Sequence, residues 1–137
     1  MFLPRACVGK RGIAAAAAVI CAVATAAPES VDPYLKSLVD DLNSRLPATV
    51  DRNTRLDTAR AGPGLRITYY YTITTHEVSA LDVGRLRAAL IPTSRKKACT
   101  APDTRALLDA KVTYAYHYND RNGHFVTRFE ISRADCK

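Results

Sequence analysis

The chain has 137 residues, with 20 Lys and Arg, 13 Asp and Glu and a formal net charge of +7. This length fits a single domain. Arg5, Lys10 and Arg11 fall in the export signal described next. Without them the chain has 17 basic and 13 acidic residues. The remaining net charge of +4 does not indicate that the chain binds an acidic partner or an anionic surface. The chain contains no recognisable nucleic-acid-binding module, so nucleic acid is not a predicted partner.

The N-terminus has the pattern of a secretory signal peptide. Basic residues precede an apolar stretch at 12–23, and small residues follow it. We expect cleavage after Ala26, with Ala24 as the alternative, so that 1–26 is the signal peptide and 27–137 is one mature domain. The apolar stretch is shorter than the roughly 20 residues of a membrane span. The mature chain should therefore lack a stable span and reside in the bacterial periplasm or outside the cell; a retained N-terminal anchor is the alternative.

The first half of the mature chain predicts a helix followed by two strands. Apolar residues recur at three- and four-residue steps over 30–46, with Asp32 and Pro33 as the start signal. Residues 49–59 alternate weakly and predict an edge strand with a polar outer face. Residues 65–74 alternate strictly, with β-branched and aromatic side chains, and predict a long central strand. A turn at 61–64 should join these two strands as an antiparallel hairpin.

The second half predicts helices and then a second hairpin. Helical spacing over 79–91, with Ser79 and Asp82 as a capping box, should end at Pro92, followed by a polar, basic loop at 93–97. A short helix begins near Thr100. Alternation then predicts strands over 112–118 and 125–131 around a turn that contains Gly123.

This order of elements predicts an α+β fold. We expect a four-stranded antiparallel sheet with helices packed on one face, the order found in cystatin-like and NTF2-like domains. Cys7 and Cys21 fall in the signal peptide, so two cysteines remain in the mature chain. An even pair in an exported domain predicts one disulfide, between Cys99 and Cys136.

Tyrosines and one basic run are the candidate binding residues. Tyr69 and Tyr116 lie on apolar strand faces, where they serve core packing or line a ligand site. Tyr70 points the other way and is the best candidate for an exposed aromatic contact. The consecutive residues Arg95, Lys96 and Lys97 form the basic run, which is either a solvated loop or a contact for an anionic surface.

The sequence contains no arrangement of residues that indicates catalysis. It has neither a serine-hydrolase nor a zinc-protease motif, and no free cysteine lies beside a histidine. His117 and His124 should lie near each other, but the pattern offers no third metal ligand. We therefore predict no catalytic residue, no metal and no cofactor, and the chain is not predicted to be an enzyme.

Several short segments resemble an uncharacterised family of short exported bacterial proteins. The segments are Thr54-Arg55-Leu56-Asp57, Ala61-Gly62-Pro63-Gly64, Tyr69-Tyr70-Tyr71-Thr72, Cys99-Thr100-x-Pro102, Tyr116-x-Tyr118-x-Asp120 and Asp135-Cys136. The resemblance covers nearly all of the mature chain. It implies an exported domain with Cys99 paired to Cys136, and it implies no activity.

These observations predict an exported binding or interaction module. Its partner would be an envelope or exported protein, and its role that of a secretion or envelope accessory, an inhibitor or an immunity protein. The alternative is a carrier of a small ligand, with a tyrosine-lined pocket between helix and sheet. An unrecognised enzyme is the third hypothesis.

Overall fold

The computed structural model describes residues 30–137, and the predicted signal peptide at 1–26 lies outside them. All five strands belong to one sheet, in the spatial order β1-β2-β3-β4-β5, and every pairing is antiparallel except that of β3 with β4. The elements, in chain order, are α1 (Pro33–Asn43), β1 (Ala48–Asp51), β2 (Thr54–Ala61), β3 (Arg66–Ile73), α2 (Val83–Thr100), α3 (Pro102–Asp109), β4 (Thr113–Asn119) and β5 (Phe125–Ile131).

The α+β class is confirmed, but the prediction of four antiparallel strands is wrong. The predicted edge strand at 49–59 is two strands, because the Asp51 carboxylate accepts a hydrogen bond from the Asn53 amide and closes a tight turn between β1 and β2. The central pair β3–β4 is parallel. Parallel neighbours need a long crossover connection, and α2 and α3 supply it.

Helix α1 begins where the sequence predicts and ends earlier. The Asp32 side chain accepts hydrogen bonds from the backbone amides of Tyr34 and Leu35, and Pro33 occupies the first turn. The helix ends at Asn43. The Asn43 side chain donates to the backbone carbonyl of Ala59 and accepts from its amide, which fastens the end of α1 to β2.

Helix α2 differs most from the prediction. Its N-cap is Asp82, which accepts from the Arg85 amide, and the helix continues through Pro92 to Thr100, so the predicted loop at 93–97 is helical. Pro92 is solvent-exposed, while Ser94 and Ala98 beyond it are buried against the sheet. This burial offsets the one backbone hydrogen bond that the proline removes.

All three helices cover the same face of the sheet, where the core lies. Leu35 and Val39 of α1 and Leu108 of α3 pack against alternate residues of the strands. At the outer edge of the sheet, the Arg87 guanidinium of α2 donates to the backbone carbonyl of Arg128 in β5. The opposite face of the sheet is covered by no described helix.

A buried carboxylate organises one end of the sheet. Asp120, in the turn after β4, is fully buried and accepts hydrogen bonds from the backbone amides of Val78, Asn122 and His124. Desolvation by itself would raise the pKa of the Asp120 carboxyl. The hydrogen bonds to the charged carboxylate outweigh desolvation, so the pKa is lowered. The turn is thereby tied to the loop that precedes α2.

The predicted disulfide is present. It joins Cys99, at the end of α2, to Cys136, which follows β5 closely, with the two Cα atoms 5.5 Å apart. The bond spans 37 positions of the chain. It therefore fixes the junction of α2 and α3 to the end of the last strand.

We expect the double substitution Cys99→Ser and Cys136→Ser to lower the free energy of unfolding by roughly 3.5–4 kcal/mol, because it frees a long loop in the unfolded chain. Urea unfolding of the oxidised chain measures this. The matched control is the reduced wild-type chain, which should lose the same amount. Equal stability of oxidised, reduced and substituted chains would contradict a structural role for the bond.

Candidate functional site

Five tyrosines from the two central strands share the helix-covered face of the sheet; Tyr114 lies at one end, and the other four lie side by side. Alternation places Tyr69 and Tyr71 of β3 and Tyr116 and Tyr118 of β4 on that face. The parallel register sets Tyr69 beside Tyr116, with ring centroids 5.7 Å apart, and Tyr71 beside Tyr118, at 4.8 Å. Aromatic rings at these separations attract each other, so they form one continuous surface.

Helix α2 does not cover this surface fully. Two hollows of about 410 and 270 Å³ lie between α2 and the strands, and they share Asp51, Thr54, Leu90 and Tyr118 in their walls. We call the two together the tyrosine groove. Its floor is the tyrosine surface, and its other apolar lining comes from Val50, Ile73, Leu81, Leu86, Leu90, Ala98 and Ala101.

The tyrosines of the groove are held in their neutral form. Desolvation raises the pKa of Tyr69 and of Tyr118 to about 12, and a hydrogen bond with Ser94 partly opposes the shift at Tyr118. Burial, reinforced by neighbouring tyrosines, also raises the pKa of Tyr71 and Tyr116. At neutral pH the groove therefore offers hydroxyl groups that donate and accept hydrogen bonds without charge.

The structure brings together only part of the predicted binding set. Tyr69, Tyr116 and Lys97 line the groove. Lys96 lies on an exposed part of α2, and Arg95 lies beside Asp135 near the C-terminus. The three basic residues therefore lie in three different environments, because consecutive side chains of a helix point in different directions.

Tyr70 lies on the opposite, uncovered face of the sheet, as its position in the alternation predicts. It is half-buried rather than freely exposed, because its ring lies 5.1 Å from that of His117 and the Arg60 guanidinium sits over it. His117 in turn contacts Phe125 at 5.2 Å. Tyr70 is thus separated from Tyr69 and Tyr116 by the thickness of the sheet.

Apart from Lys97, the predictions missed the α2 side of the groove. Leu90, Thr93 and Ser94 line it, but the sequence indicated a helix end and a loop there. A signal was present: Leu86, Leu90, Ser94 and Ala98 recur every four residues, as one face of a continuous helix does.

The groove can bind by burial and hydrogen bonding. It combines an aromatic floor, aliphatic walls and a few polar groups at its rim, the composition typical of ligand and peptide sites. Within residues 30–137, no group of three or more His, Cys, Asp or Glu side chains could hold a metal ion. Over the same range, no helix is long and apolar enough to cross a membrane.

No protein family with an established sequence profile matches the chain, and no curated protein matches it. Three solved structures share its fold. A predicted secreted protein from Pseudomonas aeruginosa is 12% identical, with a TM-score of 0.63 over 76% of this chain and 90% of that one. EpsS, the type 2 secretion system pilotin from Vibrio vulnificus, is 16% identical, with a TM-score of 0.63 over 76% and 89%. AspS, the type II secretion system pilotin from Vibrio cholerae, is 14% identical, with a TM-score of 0.59 over 75% and 89%.

We expect the buried tyrosines to ionise only as the fold is lost. Their pKa values are raised in the folded chain, so stability is fully present below the unfolded tyrosine pKa of about 10 and falls as the pH rises towards 12. Tyrosinate absorbance and circular dichroism, followed together through an alkaline titration, measure this. Most of the absorbance rise should coincide with unfolding.

The matched control is Tyr34→Phe, which removes a tyrosine that is 64% exposed. This variant should show a smaller total change in absorbance, while the absorbance rise that coincides with unfolding stays the same. Ionisation of nearly all the tyrosines near pH 10 with the dichroism intact would contradict the buried, neutral groove.

Proposed function

We propose that this chain is an exported envelope protein whose tyrosine groove binds an apolar segment of another envelope or exported protein. The observation that carries the proposal is the groove itself, an aromatic floor left open between α2 and the sheet. A concave apolar groove lined by aromatic side chains is typical of binding sites. The predicted export signal and the absence of catalytic motifs from the sequence agree with such a role.

The shape of the groove favours a polypeptide as its occupant. The two hollows adjoin, since both are lined by Asp51, Thr54, Leu90 and Tyr118. We propose that one bound segment occupies both. From Ile73 to Tyr69 the floor advances four residues along β3, or about 13 Å. This length accommodates about four extended residues, whereas a compact small molecule would fill one hollow and leave the other empty.

The polar groups of the groove also suit a peptide. A bound segment brings backbone carbonyls and amides that need partners when they are buried. Uncharged tyrosine hydroxyls can serve either kind of group, and Lys97 and Asp51 at the rim supply a donor and an acceptor. The backbone carbonyls and amides of the segment can therefore form hydrogen bonds in the groove without a charged group being buried.

The fold neighbours support a more specific role. Two of them are pilotins of type II secretion systems, and the third is a predicted secreted protein. We propose an accessory role in secretion or envelope assembly for this chain, in the periplasm or outside the cell. An inhibitor or immunity protein for an exported toxin would use the same kind of groove.

We expect Thr93→Arg to abolish capture of the partner. Thr93 is exposed and lines the groove, so a long charged side chain there obstructs the site without entering the core. The matched control is Ala89→Arg, an exposed position one turn earlier on α2 that is not part of the groove. The measurement is crosslinking of the tagged full-length protein in cells, with mass spectrometry of what it captures.

Capture of one stoichiometric envelope protein by the wild-type and Ala89→Arg chains, and not by Thr93→Arg, would support the proposal. Equal capture by both variants would place the partner elsewhere on the surface. Capture of nothing by the wild-type chain would remove the interaction role.

A small-ligand carrier is the second candidate, because the larger hollow alone, at about 410 Å³, falls in the size range of small-molecule sites. This function predicts a ligand that copurifies with the wild-type chain. Native mass spectrometry of gently purified protein measures it. A wild-type mass equal to that of the chain alone would contradict the carrier role.

A further inference from the structure

The face of the sheet that no described helix covers carries a row of three aromatic side chains and one guanidinium. The Tyr70 ring of β3 lies 5.1 Å from the His117 ring of β4, and the His117 ring lies 5.2 Å from that of Phe125 in β5. The Arg60 guanidinium of β2 lies over the Tyr70 ring, 5.6 Å from its centroid. We call these four side chains the arginine–aromatic row. Because neighbouring strands are about 4.8 Å apart, a row that crosses four strands extends over about 14 Å.

Most of the row is already ordered by its neighbours. Tyr70 and His117 are half-buried, and a hydrogen bond joins His117 Nε2 to Asn119 Oδ1 at 3.0 Å. Ala115, on the same face, is fully buried although no described helix covers it, so longer side chains of this face lie over it. Phe125 is 57% exposed and is the ring most accessible to a ligand. An ordered surface of this kind loses little conformational entropy on binding.

The charge on this face is positive on balance. The register places four arginines and two carboxylates of the strands on it, a difference of +2: Arg55, Arg60, Arg66, Arg128, Asp57 and Glu130. Arg55 pairs with Asp57. Arg66 and Arg128 share Glu130. Arg60 alone of the four has no ion-pair partner within residues 30–137, so an anionic group can pair with it at one end of the row.

We propose that the uncovered face binds an acidic oligosaccharide along the arginine–aromatic row. A sugar ring has C–H groups on its faces, which pack against aromatic rings, and hydroxyl groups around its rim, which bond to polar side chains. The row offers the rings, and Asn119 beside it offers a polar group. A carboxylate on the sugar pairs with Arg60, whose planar guanidinium can donate two hydrogen bonds to it. The length of the row suits several linked sugars rather than one.

Other partners fit this face less well. A lipid bilayer takes up apolar side chains that protrude, and Phe125 is the only exposed ring of the three. The core of a protein interface is depleted in charged residues, whereas the strands place six on this face. A second copy of the chain would bring two positively charged faces together. An acidic glycan avoids all three difficulties.

This inference does not rest on the proposed function. The tyrosine groove lies on the helix-covered face, and the thickness of the sheet separates it from the arginine–aromatic row. Thr93→Arg should therefore leave the row intact, and Arg60→Gln should leave capture of a protein by the groove unchanged. The two proposals can fail separately.

The experiment is a titration of the purified chain with trigalacturonic acid and with its methyl ester, followed by the NMR shifts of backbone amides. The two ligands have the same sugar rings, but the ester lacks the negative charges. In the wild-type chain both should shift the amides of Tyr70 and His117. The acid should bind about two- to fivefold more tightly than the ester, the range expected for one exposed ion pair.

Three variants separate the contributions of charge and ring. Arg60→Gln should bind the acid as weakly as the ester, because the ion pair is lost. Phe125→Ser should bind both ligands more weakly by the same factor, because the ring packs against the sugar whatever its charge. The matched control is Arg85→Gln, which removes an exposed arginine of α2 on the other side of the sheet. It should bind both ligands as the wild-type chain does.

Equal affinity of the wild-type chain for acid and ester would overturn the proposal, as would wild-type affinity for the acid in Arg60→Gln. Shifts confined to amides of the groove, such as that of Leu90, or no shift at millimolar ligand, would also overturn it. Vesicles that contain phosphatidylglycerol test the lipid alternative. If they perturb the amides of Tyr70 and His117 while trigalacturonic acid does not, the face binds a lipid surface and the proposal is wrong.

Discussion

The parallel pairing of β3 with β4 is the constraint on which the rest of the structure depends. Two neighbouring strands that point the same way cannot be joined by a tight turn, so the chain must return across one face of the sheet. Helices α2 and α3 make that return. The crossover covers the tyrosines of both strands incompletely, and the tyrosine groove is the gap that it leaves. The disulfide then fixes the crossover to the end of β5.

The same pairing explains why so many tyrosines can share one face. Parallel strands in register place equivalent residues side by side, so Tyr69, Tyr71, Tyr116 and Tyr118 form a two-by-two array rather than a scattered set. Each ring contributes apolar area, and each hydroxyl needs either a partner or access to the groove. The four rings are therefore packed as part of the core, and their hydroxyl groups can still form hydrogen bonds with a bound molecule.

Local patterns in the sequence predicted the local structure well. Alternation identified β3, β4 and β5, and the Asp32–Pro33 pair identified the start of α1. The sequence did not predict the parallel direction of β3 and β4, because alternation is the same for either direction of a neighbour. It also failed at Pro92, where tertiary burial of Ser94 and Ala98 overrides the local tendency of proline to end a helix. Apart from Lys97, the residues of the groove were predicted only where they lie on strands, since the α2 side depends on that misassigned helix.

The contact between Arg87 and the Arg128 carbonyl has a consequence for behaviour at high concentration. A sheet can recruit strands from other molecules only through backbone groups that are free at its edges. Arg87 occupies one of these acceptors on the β5 side, and β1 on the other side is four residues long and begins directly after a proline. Each edge is thereby made less favourable for the addition of a strand from another molecule, β5 at the Arg128 carbonyl and β1 by its short length.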